Sequence, residues 1–227
     1  MNLEDVLKQI TALPSNWHGA GSLKSSVLKA IARHARELDL RCTAETGSGK
    51  STLLFSHLSR RHLVFAMDDG NGSVRRVQES PLLKPDVVGF IEGPTQTTVP
   101  AYVFSEPVQI VMLDGPHGYP FHHLEYYHFY PHLETGGLMI VDDIDIPSIY
   151  DMFRFLKKDE MFDLIEVVHT TAFFRRTAAP TFNPKADGWW LQGYNRRKKI
   201  VDWNPVSVAA ALVPRSIRKK LLNGLGM

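Results

Sequence analysis

Five short apolar runs, at residues 41–45, 62–67, 87–92, 108–113 and 138–141, dominate the middle of the chain, and each delivers an acid at its carboxyl end. The acids are Glu45, Asp68 with Asp69, Glu92, Asp114, and Asp142 with Asp143. Continuous apolar runs of this length suit central strands of a parallel sheet covered on both faces. Each run is followed by a polar or glycine-rich turn, and most then by a helix-like stretch. That alternation predicts an α/β fold, doubly wound, with helices on both faces of a mostly parallel sheet. In such folds ligands sit beyond the carboxyl ends of the strands, so the acids gather on the binding edge. A single carboxylate after a strand is commonly a turn or cap residue. Five on one edge call for hydroxyl donors, a bound cation or a cationic ligand.

At 227 residues the chain can bury a proper core, and one domain over 1–227 is the expectation. A net charge of +2 gives no global reason to expect a nucleic-acid partner. The one cysteine, Cys42, excludes an internal disulfide framework and fits a reducing compartment. Its place in a strand makes it a small core residue. Residues 1–12 mix charged and apolar side chains, unlike a secretory leader. No apolar run approaches the roughly 20 residues of a membrane span. A cytoplasmic protein without membrane partners is expected.

Residues 1–39 read as two helices before the first strand. The first spans 2–12, with Leu3, Val6, Leu7 and Ile10 at helical spacing. The second spans 23–38, with Ser22 as its cap. The loop between them, residues 15–21, holds Trp17 and two glycines and is either a connector or a flap over a ligand. Residues 40–176 form the core. A helix over 148–158 precedes two strand-like runs, 162–169 and 172–176, whose short connection predicts an antiparallel hairpin. Residues 177–195, with the pair Trp189-Trp190, form a long loop, and a helix-like stretch over 206–222 closes the chain.

The turn after the first run, Ala44-Glu45-Thr46-Gly47-Ser48-Gly49-Lys50-Ser51-Thr52, supports two chemistries. A glycine turn between strand and helix lets backbone N–H groups approach a ligand. Read through Gly49-Lys50-Ser51, it nearly satisfies the phosphate-cradling P-loop pattern of an ATPase or kinase. Read as Glu-x-Gly-x-Gly-x-Ser, it suits a nucleoside-binding turn. Ala44 replaces the first P-loop glycine, and Glu45 would stand at the mouth of an anion cradle and repel phosphate.

Further along stands Asp114-Gly115-Pro116-His117-Gly118-Tyr119, and then His132-Leu133-Glu134-Thr135-Gly136-Gly137, an apolar strand, and Asp142-Asp143. With the glycine turn these are three motifs in order over about 100 residues. The segment 40–176 resembles the class I S-adenosylmethionine-dependent methyltransferases, closest to the bacterial branch with an Asp-Gly-x-His-x-Tyr motif. The resemblance implies a Rossmann-like sheet of seven strands whose last strand is antiparallel. It implies S-adenosylmethionine as cofactor, a small-molecule acceptor such as a sugar or natural-product hydroxyl, and is compatible with a homodimer.

The resemblance also implies roles. Glu45, Thr46, Gly47, Ser48, Gly49 and Ser51 border the methionine part of the cofactor. Asp68, or Asp69 if the strand ends one residue later, binds the ribose, and Gly93, Pro94 and Thr95 lie near the adenine. Catechol-type O-methyltransferases, similar in fold, hold a divalent cation at positions that correspond to Asp114, Asp142 and Asp143. All-oxygen ligation suits magnesium or another hard cation. A basic residue three positions after the first acid corresponds to His117, a general base for the acceptor hydroxyl, with Asp114 beside it. His122 and His123 read as surface or packing residues, and the aromatic group Tyr126, Tyr127, Phe129 and Tyr130 as helix core. A third reading keeps the fold and drops methylation, as in relatives with other roles.

Overall fold

The computed structural model describes residues 2–17, 22–68, 70, 72–180 and 192–195. Asp69, residues 18–21 of the first loop, the pair Trp189-Trp190 and the helix expected over 206–222 lie outside the described residues. Residues up to 181 form one compact unit, and residues 193–195 of a second unit form a single 3-10 turn.

The first unit opens with α1 (Leu3–Ala12) and α2 (Ser25–Ala35). Asn2 caps α1 by accepting the Asp5 N–H at 2.9 Å, and Glu4 and Asp5 complement the positive end of its dipole. Then come β1 (Cys42–Thr46), α3 (Lys50–Leu58), β2 (Arg61–Ala66), α4 (Ser73–Gln78), β3 (Val88–Glu92), α5 (Thr95–Ala101), β4 (Val108–Leu113), α6 (Phe121–Phe129), β5 (Leu133–Val141), α7 (Pro147–Leu156), β6 (Phe162–Val168) and β7 (Thr171–Arg176). The seven strands make one sheet in the order β3-β2-β1-β4-β5-β7-β6. β7 runs antiparallel to both β5 and β6, and the other pairings are parallel. The expected seven-stranded, doubly wound sheet is therefore present. Among the described residues no helix is long and apolar enough to cross a membrane.

The two faces of the sheet bury different helices. Val6, Ile10, Leu28, Ile31, Leu53, Leu54 and Phe55, from α1, α2 and α3, pack with Ile110, Met112, Ile140 and Phe173 in one cluster. Phe129 of α6 meets Phe65 of β2 edge-to-face at 5.5 Å, and Phe153 of α7 meets Phe174 at 5.9 Å. Phe173 and Phe174 are neighbours on β7 and serve opposite faces, as the period-2 alternation of a strand requires. Each such fully buried side chain contributes about 1.5–3 kcal/mol.

Several boundaries differ from the sequence expectation. β1 runs one residue further than 41–45, so Glu45 lies inside the strand and Thr46 ends it. β5 begins at Leu133, five residues before the apolar run, because Leu133 pairs with Val108 across an irregularity in the ladder. The second helix is shorter than 23–38, and α3 starts at Lys50, directly from the glycine turn.

Candidate functional site

An open cavity of about 610 Å³ lies at the carboxyl edge of the parallel strands. Its walls are the turns after β1 (Gly47 to Ser51), β2 (Met67), β3 (Gly93 to Gln96), β4 (Asp114 to His117) and β5 (Asp142, Asp143), with Ser22, Leu23 and Lys24 before α2. Strand ends far apart in sequence meet here because parallel strands point the same way.

The glycine turn is built by close backbone approach. Gly47 has φ of 87°, and a Cβ there would stand 2.4 Å from the Asp114 carbonyl oxygen. Only glycine tolerates both conditions. Its N–H donates to the Phe65 carbonyl at 2.9 Å. The Gly49 N–H donates to Thr52 Oγ1 at 3.0 Å and so opens α3. Ser51 is buried at the cavity wall, and the Ser48 hydroxyl there has no hydrogen-bond partner among the described residues. Lys50 is buried, and its Nζ donates to the Leu13 carbonyl at 2.6 Å. The ammonium thus ties α3 to the end of α1, and burial lowers its pKa. The residue that most favoured a phosphate cradle is committed to the fold.

Glu45 does not line the cavity. It is 1% exposed, accepts from the Thr52 hydroxyl, and pairs with His62 at 3.1 Å. His62 Nδ1 in turn meets Thr43 Oγ1 at 2.8 Å. Asp68, exposed beyond β2, accepts the N–H groups of Gly70 and Gly72 at 3.2 and 2.9 Å.

The acids after β4 and β5 are arranged differently. Donor atoms of Asp114, His117 and Asp143 all lie within 4.8 Å of one another. His117 Nε2 stands 2.6 Å from Asp143 Oδ2, and the Ser148 hydroxyl of α7 holds the His117 carbonyl at 2.8 Å. Asp143 takes a left-handed backbone, φ 53°, which aspartate tolerates better than most residues. Asp142 continues the ladder through its N–H to Leu113 and turns its carboxylate to the Thr171 hydroxyl. Burial, then the negative charges of Asp142, Asp143, Glu45 and Glu125, hold the Asp114 carboxyl well above the usual carboxylate range. Burial raises Asp142 as well, against the Thr171 hydrogen bond. The expected trio of Asp114, Asp142 and Asp143 is therefore close in space, but His117 replaces Asp142 in the tightest donor group.

Residues 44–144 match the model of a family described as a methyltransferase domain. A provisional caffeoyl-CoA O-methyltransferase from Staphylococcus aureus superposes with a TM-score of 0.59 at 13% identity, over 78% of this chain and 92% of that one. The O-methyltransferase TomG from Streptomyces achromogenes, solved with S-adenosylmethionine, gives 0.59 at 14% identity, over 76% and 90%. MycE, solved with magnesium and S-adenosylhomocysteine, gives 0.52 at 14% identity, over 78% and 55%. The chain carries the class I methyltransferase fold. No curated protein sequence matches it significantly.

Two buried groups of this methyltransferase fold escaped the sequence reading as site neighbours. Glu125 of α6 is 2% exposed and accepts from the Thr46 hydroxyl at 2.9 Å. Burial outweighs the hydroxyls of Thr95 and Thr46 and pushes its carboxyl up to about 7. The signal was an acid on the helical stripe 122, 125, 126, 129, whose other members are apolar, aromatic or histidine. His122, on the same stripe, packs as expected, but its ring lies 5.9 Å from that of His117, and neither nitrogen has a partner among the described residues. Burial, then the charges of His117 and His123, lower it to about 4, so it is neutral at pH 7.

Proposed function

We propose that the protein transfers a methyl group from S-adenosylmethionine to a hydroxyl of a small molecule, with the help of a divalent cation such as magnesium. The observation that carries this is one cavity in which a glycine turn faces Asp114, His117 and Asp143. The carboxylates fit a hard cation: those of Asp114 and Asp143 converge, and the crowding that raises Asp114 is relieved by positive charge. The unpartnered Ser48 hydroxyl on the cavity wall suits a polar ligand. TomG and MycE, bound to S-adenosylmethionine and to S-adenosylhomocysteine with magnesium, support the same reading.

In this reading the backbone from Gly47 to Ser51 borders the methionine moiety, and Glu45 and Thr46 shape the turn from behind. Asp68 receives the ribose, with its loop pinned by Gly70 and Gly72. Gly93, Pro94 and Thr95 wall the adenine. Asp114 and Asp143 are the carboxylates that would hold the cation, with Asp142 beside them and held by Thr171. The bound groups supply an electrophilic methyl carbon and Lewis acidity that lowers the pKa of the acceptor hydroxyl. His117 is the proton acceptor. Its Nε2 faces Asp143, which orients the ring and leaves Nδ1 to take the hydroxyl proton. Positioning of oxygen and methyl in line provides the rest of the rate.

Titration calorimetry with S-adenosylhomocysteine tests this directly. Saturable binding is expected. No heat at millimolar ligand sinks the proposal.

A further inference from the structure

Gly115 has little space around its α-carbon. A Cβ there would stand 2.3 Å from Glu125 Oε1, 3.0 Å from Glu125 Cδ and 3.0 Å from Thr46 Cβ. The Glu125 carboxyl is therefore packed directly against the Asp114-Gly115 turn. Its other oxygen, Oε2, accepts from the Thr46 hydroxyl at 2.9 Å, and that hydroxyl accepts the Asp114 N–H at 3.1 Å. The Asp114 carbonyl in turn occupies the space a Cβ at Gly47 would need. A continuous path of contacts thus runs from Glu125 through Thr46 to Asp114 and on to Gly47. It joins the turn after β4 to the turn after β1. The Thr95 hydroxyl also acts on this carboxyl and, with that of Thr46, offsets part of the cost of its burial; the residue is 2% exposed. A buried acid whose desolvation is only partly offset by two hydroxyls is a poor choice for stability alone.

We propose that Glu125 is a positioning residue that locks the two turns forming the cavity floor, acting through the Thr46 hydroxyl and not on the ligand. The inference rests on the methyl-transfer reading, because it assigns those turns to the cofactor. One hydroxyl serves both partners: it donates its proton to the carboxylate and accepts the Asp114 N–H on a lone pair. Removing either Glu125 or Thr46 Oγ1 breaks the same connection, so the two losses are not additive. A merely structural role predicts stability losses, coupled because the two residues touch, but no shared effect on binding.

Calorimetry with S-adenosylhomocysteine on the full chain separates the outcomes. Glu125→Ala, Thr46→Val and the double variant are each expected to weaken binding about tenfold, the double no more than either single. Thr46→Ser, which keeps the hydroxyl, and Glu125→Gln, which keeps the acceptor and the bulk against Gly115, are expected within about threefold of the parent. Leu156→Ala, a buried change on α7 outside the cavity wall, controls for destabilisation. Binding by folded Glu125→Ala within twofold of the parent overturns the proposal. So does a loss no larger than that of Leu156→Ala at matched thermal stability, or an additive double variant. If Glu125→Ala does not fold, Thr46→Val against Thr46→Ser decides alone: equal affinities overturn it. Absence of binding by the parent overturns the methyl-transfer reading, and this inference with it.

Discussion

Glu45 and Asp114 stand near the carboxyl ends of adjacent, paired strands, and the protein treats them in opposite ways. Glu45 is sealed behind the glycine turn with His62 and Thr52 as partners. Asp114 faces the cavity with like charges around it and its carboxyl raised. In the proposed reading the difference separates a structural acid from a ligand acid. The fold supplies partners to the first and leaves the second short of positive charge. The same contrast recurs one strand over, where Asp142 is satisfied by Thr171 while Asp143 meets His117 at the cavity.

The largest effect should come from breaking the sealed pair. His62→Ala leaves the buried Glu45 carboxyl without one of its two hydrogen-bond partners, and a loss of about 1–3 kcal/mol is expected in urea denaturation. Per folded molecule, affinity for S-adenosylhomocysteine should change little. An unchanged denaturation midpoint would erase the distinction drawn between the two acids.

Asp114→Asn should show the reverse pattern. Affinity for S-adenosylhomocysteine or for a divalent cation falls about tenfold, ~1.4 kcal/mol, while stability at pH 7 stays level or rises. The pH dependence follows from the raised carboxyl. An acid whose folded pKa lies above its unfolded value binds its proton more tightly in the native state. Stability is then lost as pH rises from the unfolded carboxylate pKa through the folded one. Glu125 places that window between its ordinary 4.5 and about 7, and Asp114 and Asp142 act in the same direction. His122, lowered to about 4, opposes them by adding stability as pH rises from there toward 6.5. The difference between parent and Asp114→Asn, followed by denaturation from pH 4 to pH 8, isolates one group. A steeper fall in the variant would contradict the assignment.

The smallest effect is expected at Lys50. Lys50→Met removes the bond to the Leu13 carbonyl and costs about 1 kcal/mol, because relief from burying an ammonium offsets part of the loss. Neither form should bind ATP. ATP binding by the parent that disappears in the variant would restore the phosphate-cradle chemistry.

Much of this arrangement was legible in residue order. The five apolar runs, their turns and the closing hairpin carry periodicities that depend on local geometry alone. The runs at 62–67 and 108–113 match β2 and β4 to within a residue. The start of β5 was not legible, because Leu133 to Gly137 earn their strand conformation from β4 and lack a continuous apolar pattern of their own. The sequence also brought Asp114, His117 and Asp143 to one edge, since every parallel strand ends there. It did not distinguish Asp142 from Asp143, two identical residues in succession. A left-handed backbone at Asp143 and a hydroxyl from β7 made that choice.

The residue pattern by itself determined a doubly wound sheet and the edge on which a ligand would sit. Those follow from strand and helix periods and from the direction of parallel strands. Which side chains are free to act was decided only by tertiary structure. Lys50 became a brace because α1 places the Leu13 carbonyl within its reach. Glu45 became a structural acid because β2 sets His62 beside it. Glu125, on a helix face that reads as ordinary packing, came to rest under the Asp114-Gly115 turn. Each outcome depends on a partner distant in sequence, and the partner decides whether a polar group is satisfied by the fold or left for a ligand.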